Sequence, residues 1–358
     1  MRTVPALAGA ALAWLLLALV TAVMPAKAAV APLQQLSGQT MGTTWSVTLQ
    51  ATPEAMPALQ QGVQAQLDTV VAQMSTWEVD SDLSRFNRSP AGSRHRLPTQ
   101  FHEVMTAALQ LAAGTDGAFD PTVGPLVNLW GFGPDGPRDQ APAPAELATA
   151  RARVGWQRLQ LDDTGHLTQP GDAYLDLSGI AKGYGVDRVA DFLVKQGIPA
   201  FLIEVGGELR SHGRKPDGSA WRIAVERPLP DDLGGNAGQQ DAISKNQNDD
   251  TPVVVALDGL AMATSGDYRH YFEQDARRYS HTIDPRTGQP VQHRLASVTV
   301  LHEQCMQADA LATALTVLGP EEGWAYALHH QLAVLLVWHD GDGFTSRMTP
   351  AFRARLQQ

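Results

Sequence analysis

His281 stands where a side chain can be aimed. Residues Arg278 to Ile283 read as a short strand, and Asp284-Pro285-Arg286-Thr287-Gly288 as the rigid turn that closes it. Imidazole takes and gives protons near neutral pH, so His281 is a candidate base, although a surface hairpin histidine has the same local sequence. Asp284 is the next candidate for that role. Asp309 and Thr313 lie four apart in the helical run Met306 to Leu315, hence stacked on one face. A carboxylate beside a hydroxyl suits a hard cation such as Mg²⁺, with a helix-face hydrogen bond as the alternative. From Tyr174 to Gly185 a strand runs into a helix, with Ser178 as N-cap and small residues in the first turn. Such a junction either brings backbone N–H groups to a phosphate or packs closely for its own sake. In the turn-rich stretch Thr115 to Pro125, Asp116 and Asp120 flank Phe119.

These residues need elements to hold them. Met56, Leu59, Val63, Leu67, Val70 and Met74 recur at threes and fours and predict an amphipathic helix of about five turns. A second helix is expected from Thr99 to Ala113, and others from the Ser178 junction to Gln196 and from Met306 to the break at Gly319-Pro320. Strands are expected after the Met41-Gly42 bend, at Gln157 to Leu161, on both sides of Gly206-Gly207, at Ala220 to Glu226, Val253 to Leu257, Leu295 to Leu301 and Leu332 to Trp338. Hairpins with helices between them imply an α+β fold with mixed or antiparallel sheets rather than a doubly wound parallel one. The polar stretch 228–252 reads as a flexible insertion. No internal repeat and no Walker-type, G-x-S-x-G or H-E-x-x-H motif is present.

The N-terminus has Arg2, an apolar run from Val4 to Met24, and Ala26-Lys27-Ala28, the three parts of a secretory signal peptide. Cleavage after Ala28 is expected, giving a periplasmic protein; uncleaved, the run would anchor it at the inner membrane. Removing the two basic residues of the leader reduces the 27 to 25, against 37 acidic ones. That balance excludes a nucleic-acid partner, which needs a basic face. Cys305 is the sole cysteine, so stability must come from a core and not from an internal disulfide. The expected organisation is a signal at 1–28, a linker at 29–36, one domain at 37–345 and a tail at 346–358.

Eight stretches in order carry a resemblance. They are Met41-Gly42-Thr43, Met74-Ser75-Thr76-Trp77, Gly117-Ala118-Phe119-Asp120-Pro121, Asp176 to Tyr184, Glu204-Val205-Gly206-Gly207-Glu208, Ala263 to Tyr268, Ser280-His281-Thr282-Ile283-Asp284-Pro285, and Asp309-Ala310-Leu311-Ala312-Thr313. Together, from about Gly38 to Trp338, they resemble the ApbE family of FAD:protein FMN transferases. The resemblance implies a T-fold-like α+β architecture and an exported, Mg²⁺-dependent enzyme. It would move FMN from FAD, its substrate, to a threonine hydroxyl of an acceptor flavoprotein of the respiratory electron-transfer type, releasing AMP. It implies that Met41, Trp77, Ala118, Phe119, Asp120, Asp176, Lys182 and Ile283 line the FAD site. Asp309, Thr313 and the carbonyl of Gly179 would hold Mg²⁺, and His281 would be the base. Trp77 stands where several relatives carry Tyr, and the lipid-anchor cysteine of many relatives is absent. An FAD pyrophosphatase giving FMN and AMP, or a non-catalytic periplasmic FAD-binding protein, would share most of these residues.

Overall fold

The computed structural model describes residues 31–225, 253–266, 271–274, 277–341 and 343–356. The expected signal peptide, the whole of the 228–252 insertion, and Asp267 and Tyr268 lie outside them. Pro32–Gln358 forms one compact unit. Its centre is an eight-stranded antiparallel sheet whose spatial order follows the chain: β1 (Leu33–Thr40), β2 (Thr43–Gln50), β3 (Phe201–Val205), β4 (Glu208–His212), β5 (Ala261–Gly266), β6 (Leu295–His302), β7 (Ala333–Asp340) and β8 (Gly343–Met348). Four helices pack on it, α1 (Met56–Met74), α3 (Ala181–Lys195), α4 (Cys305–His329) and α5 (Pro350–Leu356), and α2 (Thr99–Gly114) packs on α1 and α4. The fold is α+β, with antiparallel pairing in every sheet described.

Alternation along the strands buries apolar side chains on both faces of the sheet. Trp45, Val47 and Leu49 of β2 and Ile203 and Val205 of β3 meet α1 and α3 through Leu59, Val63, Leu67, Val186 and Leu193. On the opposite face, Met262, Leu301, Leu335 and Val337 pack against Trp221, Val255, Leu257 and Phe352. The Met56–Met74 periodicity places Leu59, Val63, Leu67, Val70 and Met74 in the interior, each worth about 1.5–3 kcal/mol of apolar burial.

The boundaries differ from expectation at both ends. β1 begins at Leu33, inside the stretch expected as a linker, and Phe352 in the expected tail is fully buried. β1 carries few apolar residues because it is an edge strand; α1 covers that edge, with Gln60 and Gln64 donating to the carbonyls of Ser37 and Gln39. The Gln157–Leu161 strand shrinks to Gln160–Leu161, after a 3₁₀ turn at Trp156–Arg158.

Candidate active site

The start of α3 is the point where predicted residues converge. The expected strand before it is instead an extended segment held by side-chain amides. Asn87 accepts from Leu175 N–H at 2.7 Å and donates to the Leu175 carbonyl at 3.0 Å, while Gln169 does the same for Ala173 at 3.1 Å each way. Asp176, next in line, accepts the Ser178 N–H on Oδ1 at 2.8 Å. Ser178 is therefore part of an Asx turn, and the helix is entered three residues later through Ile180. The tight-packing reading holds at Gly183: a Cβ there would lie 2.3 Å from the Cys305 carbonyl oxygen. Its N–H, in the first turn of α3, donates to Asp309 Oδ2 at 2.9 Å, so Asp309 meets the positive end of that helix.

Lys182 lies between two buried carboxylates. Its Nζ is 3.2 Å from Glu208 Oε1 and 3.6 Å from Asp309 Oδ1. Burial pushes the Glu208 carboxyl up to about 7; Lys182 opposes the rise and Asp309 adds to it. Burial works to lower the Lys182 ammonium, but the charges of Asp309 and Glu208 outweigh it and the net direction is up. Glu208 itself escaped the sequence reading as a site residue. It closes the Glu204-Val205-Gly206-Gly207-Glu208 stretch of the resemblance, but its partners come from two helices distant in the chain.

α4 delivers Asp309 and Thr313 to this point. Asp187 of α3 accepts the N–H groups of Cys305 and Met306 at 2.9 Å each and pairs with Arg210, fixing the start of α4 one turn before Asp309. Thr313 lies against Gly179: a Cβ on that glycine would stand 3.1 Å from Thr313 Oγ1 and 3.4 Å from Phe119 Cε2. Gly179 therefore meets Thr313, one helical turn along α4 from Asp309, with Phe119 beside them. Their donor set is one carboxylate, one hydroxyl and one carbonyl. Among the described residues no cluster of three His, Cys, Asp or Glu side chains could hold a metal. Hard oxygen donors in small number fit Mg²⁺, which keeps waters and substrate phosphate oxygens as its remaining ligands.

Met41 occupies the turn between β1 and β2 with φ of 49°, and its Cε lies close to Gly185 of α3. Ala118 and Phe119 are buried. Asp120 is spent within the chain: Oδ1 accepts from the Thr122 N–H and hydroxyl at 2.8 and 2.7 Å, and Oδ2 from the Trp156 N–H at 3.1 Å. Burial raises its pKa. Asp176 is tied to the same loop through its N–H, which donates to the Pro121 carbonyl at 2.8 Å. Trp77 is 66% exposed, on a turn where Ser75 Oγ accepts from the N–H groups of Trp77 and Glu78. A ring so exposed beside a buried core is available to a planar ligand.

His281 and Ile283 belong to a different group of side chains. His281 follows the strand Arg277–Ser280 rather than lying inside it, and precedes the short strand Ile283–Asp284. Its half-buried ring meets Phe132 edge-on, with centroids 6.3 Å apart. Ile283 is buried with Leu126, Trp130 and Ala150. Asp284 is clasped by Arg286, with Nε–Oδ1 and Nη2–Oδ2 both 3.0 Å, so its lone pairs are committed and it suits a base poorly.

A sequence profile described as the ApbE family matches residues 41–336. The chain is 43% identical over 325 residues to an FAD:protein FMN transferase of Vibrio cholerae serotype O1, covering 90% of this chain and 92% of that one. It is 37% identical over 337 residues to the protein of the same name from Escherichia coli K12, covering 93% and 92%. Among solved structures, the apo flavinyl transferase ApbE of Pseudomonas stutzeri superposes with a TM-score of 0.81 at 42% identity, covering 92% of this chain and 98% of that one.

Proposed function

The chain belongs to the ApbE family, and from that premise we propose that it is an FAD:protein FMN transferase acting on a threonine hydroxyl of an exported or membrane flavoprotein. The observation that carries the reading is the convergence of Phe119, Gly179, Lys182, Asp309 and Thr313 at the start of α3. This occurs in a chain that matches transferases over nine tenths of both lengths. One ammonium and a set of hard oxygens is the equipment for a pyrophosphate.

In the proposed reaction the threonine oxygen attacks the FMN phosphorus, the bond from that phosphorus to the bridging oxygen breaks, and AMP leaves with the bridging oxygen. His281 receives the hydroxyl proton on a ring nitrogen. Lys182 offers its ammonium to the pyrophosphate, and Trp77 supplies a ring face for stacking. Asp309, Thr313 and the Gly179 carbonyl would hold Mg²⁺, which supplies neutralisation of phosphate charge when bound. Asp120 and Asp176 shape the loop that carries Ala118 and Phe119. The periplasmic address, an acceptor of the respiratory electron-transfer type and an inner-membrane association through an uncleaved leader are parts of the same proposal, supported by the N-terminal sequence and the resemblance. Among the described residues no helix is long and apolar enough to cross a membrane.

The test is incubation with FAD, Mg²⁺ and a domain bearing an acceptor threonine, followed by intact-mass measurement. A gain of one FMN is expected. Free FMN and AMP with unmodified acceptor would make the protein a pyrophosphatase, and unchanged FAD would make it a carrier.

A further inference from the structure

Glu208 has no role in the reaction as described above, yet it is placed to control it. It opens β4 and is 3% exposed. Its Oε1 takes the closer contact with Lys182, at 3.2 Å, within hydrogen-bond range. Its Oε2 is buried with no hydrogen-bond partner. A buried carboxylate with an unsatisfied oxygen is costly to a fold, which points to a use outside folding. The second contact of the same ammonium, 3.6 Å to Asp309 Oδ1, is an ion pair too long for a hydrogen bond. Asp309 Oδ2 is already taken by the Gly183 N–H. Lys182 is therefore anchored on Glu208, and Asp309 Oδ1 is left without a hydrogen bond to it. A lysine is a mobile point charge on a four-carbon stem. Relieved of Glu208, it would settle on the other carboxylate that it meets.

We propose that Glu208 is a positioning residue that holds the Lys182 ammonium off Asp309, keeping Asp309 Oδ1 open to a divalent cation. The proposal deepens the reading of Asp309 and Thr313 as cation ligands and rests on it. It makes an unusual claim: neutralising Glu208, which is not itself a ligand, weakens metal binding, and it does so only while Lys182 is present.

The experiment is a double-mutant cycle on the full chain, with Mn²⁺ as probe and the electron-paramagnetic signal of free Mn²⁺ as readout, with and without FAD. Glu208→Gln should weaken Mn²⁺ binding by about tenfold or more, the usual scale for residues behind a metal ligand. In a Lys182→Met background the same substitution should cost about threefold or less, the remainder being simple loss of a nearby negative charge. Equal losses in both backgrounds would overturn the proposal and make Glu208 a ligand or a remote charge. No loss in either would overturn it too. If the glutamine variant does not fold, Glu208→Asp replaces it, since shortening the side chain also releases Lys182; the same dependence on Lys182 is required. Asp309→Ala separates the two readings. If it leaves Mn²⁺ binding intact, the metal assignment fails and the proposal with it; if it abolishes binding while the cycle shows no coupling, only the role of Glu208 fails.

Discussion

His293 Nε2 lies 2.6 Å from the carbonyl oxygen of Thr316, and this contact replaces a bond that α4 cannot make. In a continuous helix that carbonyl would accept from residue 320, but residue 320 is proline and has no N–H. The chain breaks beside it at Gly319, with φ of 82°, and the imidazole fills the gap. The Leu295 N–H donates to His293 Nδ1 at 3.3 Å, which leaves Nε2 as the protonated nitrogen and the donor. His293→Ala should cost about 1–3 kcal/mol by orphaning a buried carbonyl. Chemical denaturation measures it, and an unchanged midpoint would mean that water replaces the imidazole freely.

The buried carboxylates set a pH dependence. The Glu208 carboxyl sits at about 7 in the folded chain against an ordinary 4.5, because burial opposes its charge. The folded state therefore holds a proton that the unfolded state has released between those values. The contribution is complete below about 4.5 and is lost as pH rises through 7, a change on the order of 3 kcal/mol. Asp120 and Asp187 are also raised by burial, so their contributions have the same sign. Melting temperatures from pH 5 to 8 should fall more steeply for the wild type than for Glu208→Gln, and parallel curves would refute this assignment.

Asp120→Asn should lower stability by about 1–3 kcal/mol in the absence of FAD, because one amide cannot reproduce three accepted hydrogen bonds. A variant with full stability and weakened FAD binding would show instead that Asp120 reads the ligand directly.

Two glycines should respond differently to alanine. At Gly183 a Cβ meets backbone, so Gly183→Ala should destabilise strongly or prevent folding. At Gly179 the obstacle is the Thr313 side chain, so Gly179→Ala should fold and lose affinity for Mn²⁺. Calorimetry of both variants distinguishes the cases; equal melting temperatures would contradict the packing argument.

His281→Ala should slow FMN transfer by about two to four orders of magnitude while FAD affinity stays close to wild type. Single-turnover rates and a flavin fluorescence titration measure the two quantities separately. A wild-type rate would remove His281 as the base.

Local pattern revealed what local physics decides. The 3.6-residue period of Met56 to Met74, the Gly206-Gly207 hairpin and the break at Gly319-Pro320 are each written within a few adjacent residues. β1 was missed because Leu36 and Thr40 are its only fully buried residues, too few to show an alternation. The helix starts later than Ser178 because Asp176 folds that segment into an Asx turn, and the N-cap is Ile180. The amide ladder from Asn87 to Leu175 spans 88 residues and leaves no local trace. Glu208 was hidden for the same reason, since its environment is made by α3 and α4 and not by its neighbours in the chain.

A sheet whose strands lie side by side in the order of the chain also sets an order in time. As the polypeptide is made, β1 to β6 can assemble in sequence, and Lys182 and Glu208 can meet before α4 exists. Until residues 305–313 follow, that pair is one ammonium facing one carboxylate, and the first turn of α3 lacks the acceptor that Asp309 provides. The charge row of Lys182, Glu208 and Asp309 is thus among the last things the chain completes, so a copy that ends before residue 305 has much of the scaffold and only two of the three charges.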